Sequence, residues 1–406
     1  MNLQVDRLQR SVRSTSPPQP DRVRPPESVP PRLRVLHLAF EDHRRPGSGG
    51  GAARTHEINR RLAVRHDVTV VTARYRGCVE RVEDGVRYVH IGLSLGYFGS
   101  ILTYFMAIPL ALWRHRSDLV VEDFAAPFSS ALVPLWTRRP VIGMVQWLFA
   151  REKSRQYRLP FFVIEEIGVR LQRRMIAVSG DLADRLRSMN RRARIDVIPN
   201  GVDSEAGECR RPSKREHILY LGRIEIAQKG LDMLLKAYAT VAPFTAADLL
   251  IAGDGPDSEA LRALSAELGL GSRVRFLGRV SGPAKYELLS SAALLCMPSR
   301  YETFGMVALE ALACGTPVLA FDIPCLREII PTDCGVLVPG FDVEALGASL
   351  RTLIDQQRTL RTMGDAGREM ARRFDWDGLA LRQEMVYLEA VGSPPVDAGV
   401  TPGAPV

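Results

Sequence analysis

No Cys-x-x-Cys pair occurs among the 406 residues, and the six cysteines (Cys78, Cys209, Cys296, Cys314, Cys325, Cys334) are scattered. That spacing excludes a zinc ribbon and a disulfide frame, and implies reduced thiols in a cytosolic protein. The N-terminal stretch lacks the apolar core of a signal peptide. It is rich in Arg and Pro instead, which implies a cytoplasmic location. One long charge-free run exists, Ile91 to Trp113. Gly92, Gly96, Gly99 and Pro109 interrupt it, so the expectation is a buried helix grazing a membrane surface rather than a span. The one Asp-x-Asp, Asp375-Trp376-Asp377, sits at a helix start and reads as an N-cap with a packed Trp376, not a metal site.

What is present is length and charge asymmetry. A chain of this size exceeds one ordinary core, so two domains are expected. Residues 1–200 carry 33 Lys and Arg against 19 Asp and Glu, a net of +14; residues 201–406 carry 21 against 27, a net of −6. A basic half implies an anionic partner, a membrane surface or phosphorylated lipid. The basic runs Arg151 to Arg158 and Arg191 to Arg194 are candidates for that contact. No nucleic-acid partner is expected.

Residues 1–31 and 392–406 are polar, Pro-rich tails, expected to be disordered. Order begins with the strand Arg34 to Phe40. The loop Pro46 to Gly51 follows, then a helix from Ala52 and a strand to Thr72. Glycines let a backbone approach a phosphate at a helix N-terminus. A nicotinamide site would want an acid at the end of the second strand, and Thr72-Ala73-Arg74 supplies none. Strands at 86–91, 119–121, 141–145, 175–179 and 195–198 complete a first domain, 32–203. A polar linker, Ser204 to Arg215, leads into a second, 204–373. There the strands 217–221, 248–251, 274–276, 293–297, 317–320 and 335–338 alternate with helices. Such alternation predicts a parallel, doubly wound α/β sheet. A last helix, 374–391, is expected to return to the first domain.

The second domain gathers polar groups at strand ends. Gly222-Arg223 follows its first strand and Lys229-Gly230 opens the next helix, cations suited to a diphosphate. The third strand passes into Leu277-Gly278-Arg279-Val280, whose backbone can pair with a base. Glu302 lies in the loop after Ala293–Met297. Glu310 lies two helical turns further, in a helix starting near Gly305 and stopped by Gly315 and Pro317. Asp254 and Asp257 are read as turn and cap residues. His37 and His56 are read as structural.

The run Glu302-Thr303-Phe304-Gly305 … Glu310-Ala311-Leu312-Ala313-Cys314-Gly315-Thr316-Pro317-Val318 resembles the E-x7-E signature of retaining glycosyltransferases of family 4. Gly50-Gly51-Ala52-Ala53, Ile198-Pro199-Asn200-Gly201-Val202-Asp203, Gly222-Arg223 … Lys229-Gly230 and Ala252-Gly253-Asp254-Gly255-Pro256 are similar to that family too, in order over about residues 33–390. The resemblance implies a GT-B fold: two Rossmann-like domains facing a central cleft. It implies transfer of a sugar from a nucleotide diphosphate donor to a glycan, lipid-linked or small-molecule acceptor, with retention and with neither metal nor other cofactor. The setting would be cell-envelope or secondary-metabolite synthesis at the inner membrane face. Arg223 and Lys229 would stabilise the leaving diphosphate and Glu302 would hold the sugar. Gly50, Gly51, Gly222, Val280, Phe304, Gly305, Met306, Val307 and Glu310 would bind the donor, with Glu310 on the ribose. Gln146 stands where the family commonly has histidine. Glutamine keeps hydrogen bonding but cannot relay a proton. Alternatives are an inactive nucleotide-sugar-binding protein, a sugar-nucleotide epimerase or a phosphorylase. A hydrolase reading of the two glutamates leaves Arg223 and Lys229 unexplained.

Overall fold

The computed structural model of the protein describes residues 31–392, apart from 125–131, 149, 152–153, 155–157, 159, 211 and 213–216. Both tails and much of the basic run 151–158 lie outside those residues.

The N-terminal sheet has eight strands: β1 (Arg34–Leu38), β2 (Asp67–Ala73), β3 (Arg81–Glu83), β4 (Val86–Ile91), β5 (Leu119–Phe124), β6 (Val141–Val145), β7 (Arg174–Ala177) and β8 (Arg194–Val197). Their order is β3-β4-β2-β1-β5-β6-β7-β8. The C-terminal sheet has six: β9 (His217–Leu221), β10 (Asp248–Ala252), β11 (Val274–Gly278), β12 (Leu294–Met297), β13 (Val318–Phe321) and β14 (Gly335–Val338), in the order β11-β10-β9-β12-β13-β14. The strands are near-continuous apolar runs because crossover helices cover both faces. These are the two doubly wound Rossmann-like domains expected.

Strand order reverses at β1/β5 in one sheet and at β9/β12 in the other. Ligands of open α/β sheets bind at such switch points, beyond the carboxyl ends of the strands. The glycine loop follows β1, Lys229 follows β9 and Glu302 follows β12, so topology alone delivers these groups to the two switch points.

Three features depart from the sequence reading. The antiparallel edge strand β3 was not anticipated. Asp84 and Gly85 both take positive φ (49° and 80°), the conformation a two-residue hairpin of this hand requires. The polar linker holds a short helix, Ser204–Glu208. The apolar run forms the helix Gly96–Arg114, but it is buried on one side only. Tyr104, Ile108, Ala111 and Leu112 pack on Leu36, Leu38, Val71 and Val120, while Phe98, Leu102, Met106, Leu110 and Trp113 face outward. No helix among the described residues is long and apolar enough to cross a membrane.

The last helix, Trp376–Ala390, packs against the helix Gly50–Leu62 of the first domain. Arg54 donates to Gln383 Oε1 at 2.9 Å, His66 Nε2 lies 2.9 Å from Glu384 Oε1, and Arg61 pairs with Asp377. Asp375 caps it through the Gly378 N–H at 2.8 Å and Trp376 is buried, as the N-cap reading required.

Candidate donor-binding cleft

The site is built from loops that rigid strands present. After β9 the chain makes a single helical turn, Ile226–Lys229, closed by Gly230 in the left-handed conformation. A Cβ on Gly230 would lie 2.1 Å from the Pro298 carbonyl oxygen, so only glycine lets this turn press against the end of β12. Arg300 ties the same turn down. Its guanidinium donates to the Ile226 carbonyl and to both oxygens of Asp232. Asp257 was expected to cap the helix that follows it. Its carboxylate instead accepts from the Ile226 N–H at 2.6 Å, so it caps the turn that carries Lys229.

That turn aims Lys229 at Glu302, with Nζ 2.5 Å from Oε1. Ser299 Oγ donates to the same oxygen at 2.8 Å. Glu310 lies on the helix Met306–Ala313 and is almost wholly buried. Lys285 donates to it at 2.9 Å. Burial pushes the Glu310 carboxyl above the usual range, and the Lys285 ammonium offsets part of that rise. Lys285 and Ser299 escaped sequence reading, and Asp257 was read as the cap of a different element. The one signal available was a lone lysine in the first turn of a helix that follows a strand end.

Gly305 takes φ +94°, and a Cβ there would come within 2.5 Å of Leu326. Phe304 is buried and packs edge-on to Phe374. Gly222 takes φ +150°, and its carbonyl oxygen would lie 1.8 Å from a Cβ on Gly253. These glycines let the β9 and β10 loops touch. Val280 is half-buried against the core, as is Val307.

The domains meet at this edge. A Cβ on Gly50 would lie 3.5 Å from Met306 Cγ, and one on Gly51 would lie 3.4 Å from Gln146 Oε1. Gln146 Nε2 donates to the Gly51 carbonyl at 3.3 Å. Ser179 Oγ donates to the Thr303 carbonyl at 3.0 Å, and Glu328 accepts from the Gly180 and Asp181 N–H groups at 2.8 and 2.9 Å. The N-termini of the helices Gly50–Leu62 and Met306–Ala313 therefore converge, with Lys229 beside the second. Two helix N-termini and an ammonium make a seat for a multiply charged anion. Arg223 is not drawn in. Its side chain is 63% exposed and its guanidinium lies 3.3 Å from Glu225.

Sequence models of known families match the two halves in turn. Glycosyltransferase Family 4 matches residues 48–206, and Glycosyl transferases group 1 matches residues 203–370. The MMP alpha-(1->4)-mannosyltransferase of Mycolicibacterium hassiacum is 28% identical over 379 residues, covering 90% of this chain and 88% of that protein. The phosphatidyl-myo-inositol mannosyltransferase of Mycobacterium leprae is 37% identical over 285 residues, 68% of this chain and 75% of that protein. In structure, the sucrose-phosphate synthase of Thermosynechococcus elongatus superposes with a TM-score of 0.74 over 88% of this chain and 99% of that one, at 22% identity.

Proposed function

Because the chain belongs to glycosyltransferase family 4 and has the GT-B fold, we propose that it moves a hexosyl group, mannosyl in first place, from a nucleotide diphosphate donor to an acceptor with retention. The observation that carries this reading is the paired arrangement Lys229–Glu302 and Lys285–Glu310 beside two converging helix N-termini. Lys229 and the helix ends stabilise the departing diphosphate. Arg223, exposed in the free protein, turns toward it as the donor fills the cleft. Glu302, freed from Lys229 by the phosphate, accepts sugar hydroxyls. Glu310 accepts the two ribose hydroxyls. The anomeric C1–O bond to the diphosphate breaks and the bond to the acceptor oxygen forms on the same face. The acceptor proton passes to the departing phosphate oxygen, since Gln146 cannot take it. Fixed cations replace a divalent ion at the diphosphate, so transfer proceeds without added metal. The two relatives named as mannosyltransferases favour a mannosyl donor.

The test is a thermal-shift screen of GDP-mannose, UDP-glucose and ADP-glucose, followed by incubation of the best binder with and without acceptors. Slow release of nucleoside diphosphate alone and an α-linked product with acceptor are expected. Tight donor binding with no release and no transfer would mark an inactive binding protein.

The acceptor is lipid-borne on this reading, and the protein works as a peripheral protein at an anionic cytoplasmic membrane face. Leu95, Phe98, Leu102, Met106, Leu110 and Trp113 are each 60–80% exposed along one side of a single helix. Their spacing of three and four residues makes one apolar stripe. At its end Arg114 and Arg116 join Arg34 and Arg87 around one pocket. The helix Phe161–Leu171 also exposes Phe162, Val163, Ile164 and Ile167. An apolar stripe rimmed by arginine suits an anionic bilayer surface. The helix Gly96–Arg114 begins shortly after β4 ends at Ile91, so its first turn lies at the cleft edge of the sheet.

A further inference from the structure

Two strand ends face each other across the cleft. In the first domain, β7 passes through Ser179 into the ten-residue helix Gly180–Met189. In the second, β13 leads to the single turn Pro324–Arg327, with Glu328 at its C-cap. The Glu328 carboxylate reaches over and accepts from the first two N–H groups of the facing helix. Oε2 lies 2.8 Å from the Gly180 nitrogen and Oε1 lies 2.9 Å from the Asp181 nitrogen. A carboxylate placed there gains from the helix dipole as well as from two charge-assisted hydrogen bonds.

Gly180 admits the carboxylate. A Cβ at this position would stand 3.3 Å from Glu328 Oε1 and 3.5 Å from Oε2. Ser179 serves both sides of the same junction. Its Oγ accepts from the Leu182 N–H at 3.3 Å, capping its own helix, and donates to the Thr303 carbonyl at 3.0 Å. Thr303 adjoins Glu302. From the other side Cys325 Sγ, on the turn that ends in Glu328, donates to the Glu302 carbonyl at 3.3 Å. Burial first, then Glu302, Asp181 and Glu328, push the Cys325 thiol up to about 12, so it stays protonated and keeps donating. The Glu302 loop is therefore gripped between that turn and the first domain.

We propose that Glu328 is a positioning residue that latches the second domain onto the helix Gly180–Met189 and so fixes the Glu302 loop at the cleft. It acts through the Ser179–Thr303 contact and the turn it shares with Cys325, with no contact of its own to a substrate. The latch stands on these contacts alone; its effect on turnover rests on the sugar-transfer reading of Glu302. Lys229 and Glu310 both belong to the second domain, so nucleotide affinity does not need the latch.

The test compares Glu328→Gln, Glu328→Ala and Gly180→Ala in the full chain. Hydrogen exchange of residues 179–182 and 302–305 reads the latch without any substrate. It is expected to quicken by about tenfold or more in both segments of Glu328→Ala, with the core strand Val141–Val145 unchanged. Glu328→Gln, which keeps one acceptor oxygen, should show less. With donor and acceptor, kcat is expected to fall about tenfold in Glu328→Ala, while GDP and UDP affinities by calorimetry change by less than about threefold. A general loss of structure would move both. Gly180→Ala separates them further, since alanine favours the helix but crowds Glu328: the thermal midpoint should hold or rise while kcat falls. Unchanged exchange in either segment of Glu328→Ala overturns the proposal, and so does quickened exchange with unchanged kcat. A wild type that transfers no sugar overturns the reading of Glu302 and not the latch, which the exchange still decides.

Discussion

Lys229 Nζ lies 2.5 Å from Glu302 Oε1, although 73 residues separate the two in the chain. Each satisfies the other in the free protein, and both side chains are more than four-fifths buried. A pair of this kind is costly to break from one side, because the survivor is left charged and unpaired. It is also a switch: a diphosphate competes for the ammonium and a sugar competes for the carboxylate.

Lys229→Met should lower kcat/KM for the donor by about 10²–10³, the loss typical when one fixed group stabilising developing charge is removed. Glu302→Gln should cost less. In the double variant the losses should fall short of additive, since each single change also strands a partner. Steady-state kinetics on the four proteins measures this. Additive losses would show that the pair does not act as a unit.

Glu310 gives a pH signature with opposite signs for binding and folding. Its folded pKa is raised above 4.5, chiefly by burial. The protonated form is therefore favoured by the fold. Its contribution to stability is complete at acid pH, below the unfolded value, and is lost as pH rises through the raised folded pKa. Ribose recognition needs the carboxylate, so donor affinity should rise over that same interval above pH 4.5. Glu310→Gln should remove this pH dependence and weaken donor binding by about 10–100-fold, at about 1.5–3 kcal/mol for a hydrogen bond to a charged group. Calorimetric titration of donor at several pH values reads both effects.

Gln146 touches the Gly51 carbonyl and stands at the mouth between the domains. Gln146→Ala should reduce kcat more than it raises the donor KM. Gln146→His should restore turnover and add a pH dependence near neutrality. Kinetics indifferent to both changes would place the acceptor elsewhere.

Both sheets, their parallel strands, the Glu302 loop and the Glu310 helix were legible in the sequence, because buried parallel strands write continuous apolar runs and glycine with proline marks each stop. The partner of Glu310 was not. Lys285 meets Glu310 only through the packing of two helices, and Asp257 serves a turn 31 residues away. The apolar segment Ile91–Trp113 was legible as a helix rather than a span, but its exposed side was not. Composition reports how apolar a helix is, but not which side the sheet covers.

Exposed apolar side chains on the helix Gly96–Arg114 make the membrane reading simple to test. Leu102→Glu with Leu110→Glu should leave the fold intact, because both side chains are about 60% exposed. Co-sedimentation with vesicles containing phosphatidylglycerol should fall by tenfold or more. Arg114→Glu with Arg116→Glu should lower binding at low salt and have little effect at high salt, where surface charge is screened. Wild-type protein that stays in the supernatant at low salt would remove the membrane from the mechanism.

Two glycines with the same backbone conformation separate strain from crowding. Gly230 and Gly269 have φ of +66° and +67°, but a Cβ on Gly269 meets nothing within 4 Å, whereas one on Gly230 meets the Pro298 carbonyl oxygen at 2.1 Å. Gly269→Ala should therefore cost only the left-handed penalty, about 1–2 kcal/mol, with transfer unchanged. Gly230→Ala must move either β12 or the Lys229 turn. Its cost should exceed that of Gly269→Ala by about 1–3 kcal/mol, measured by urea unfolding. Because the turn carries the ammonium, the folded fraction of Gly230→Ala should also show weakened transfer. Equal unfolding free energies for the two variants would mean that the β12 loop yields freely, and that Lys229 is not held in place by the contact between Gly230 and Pro298.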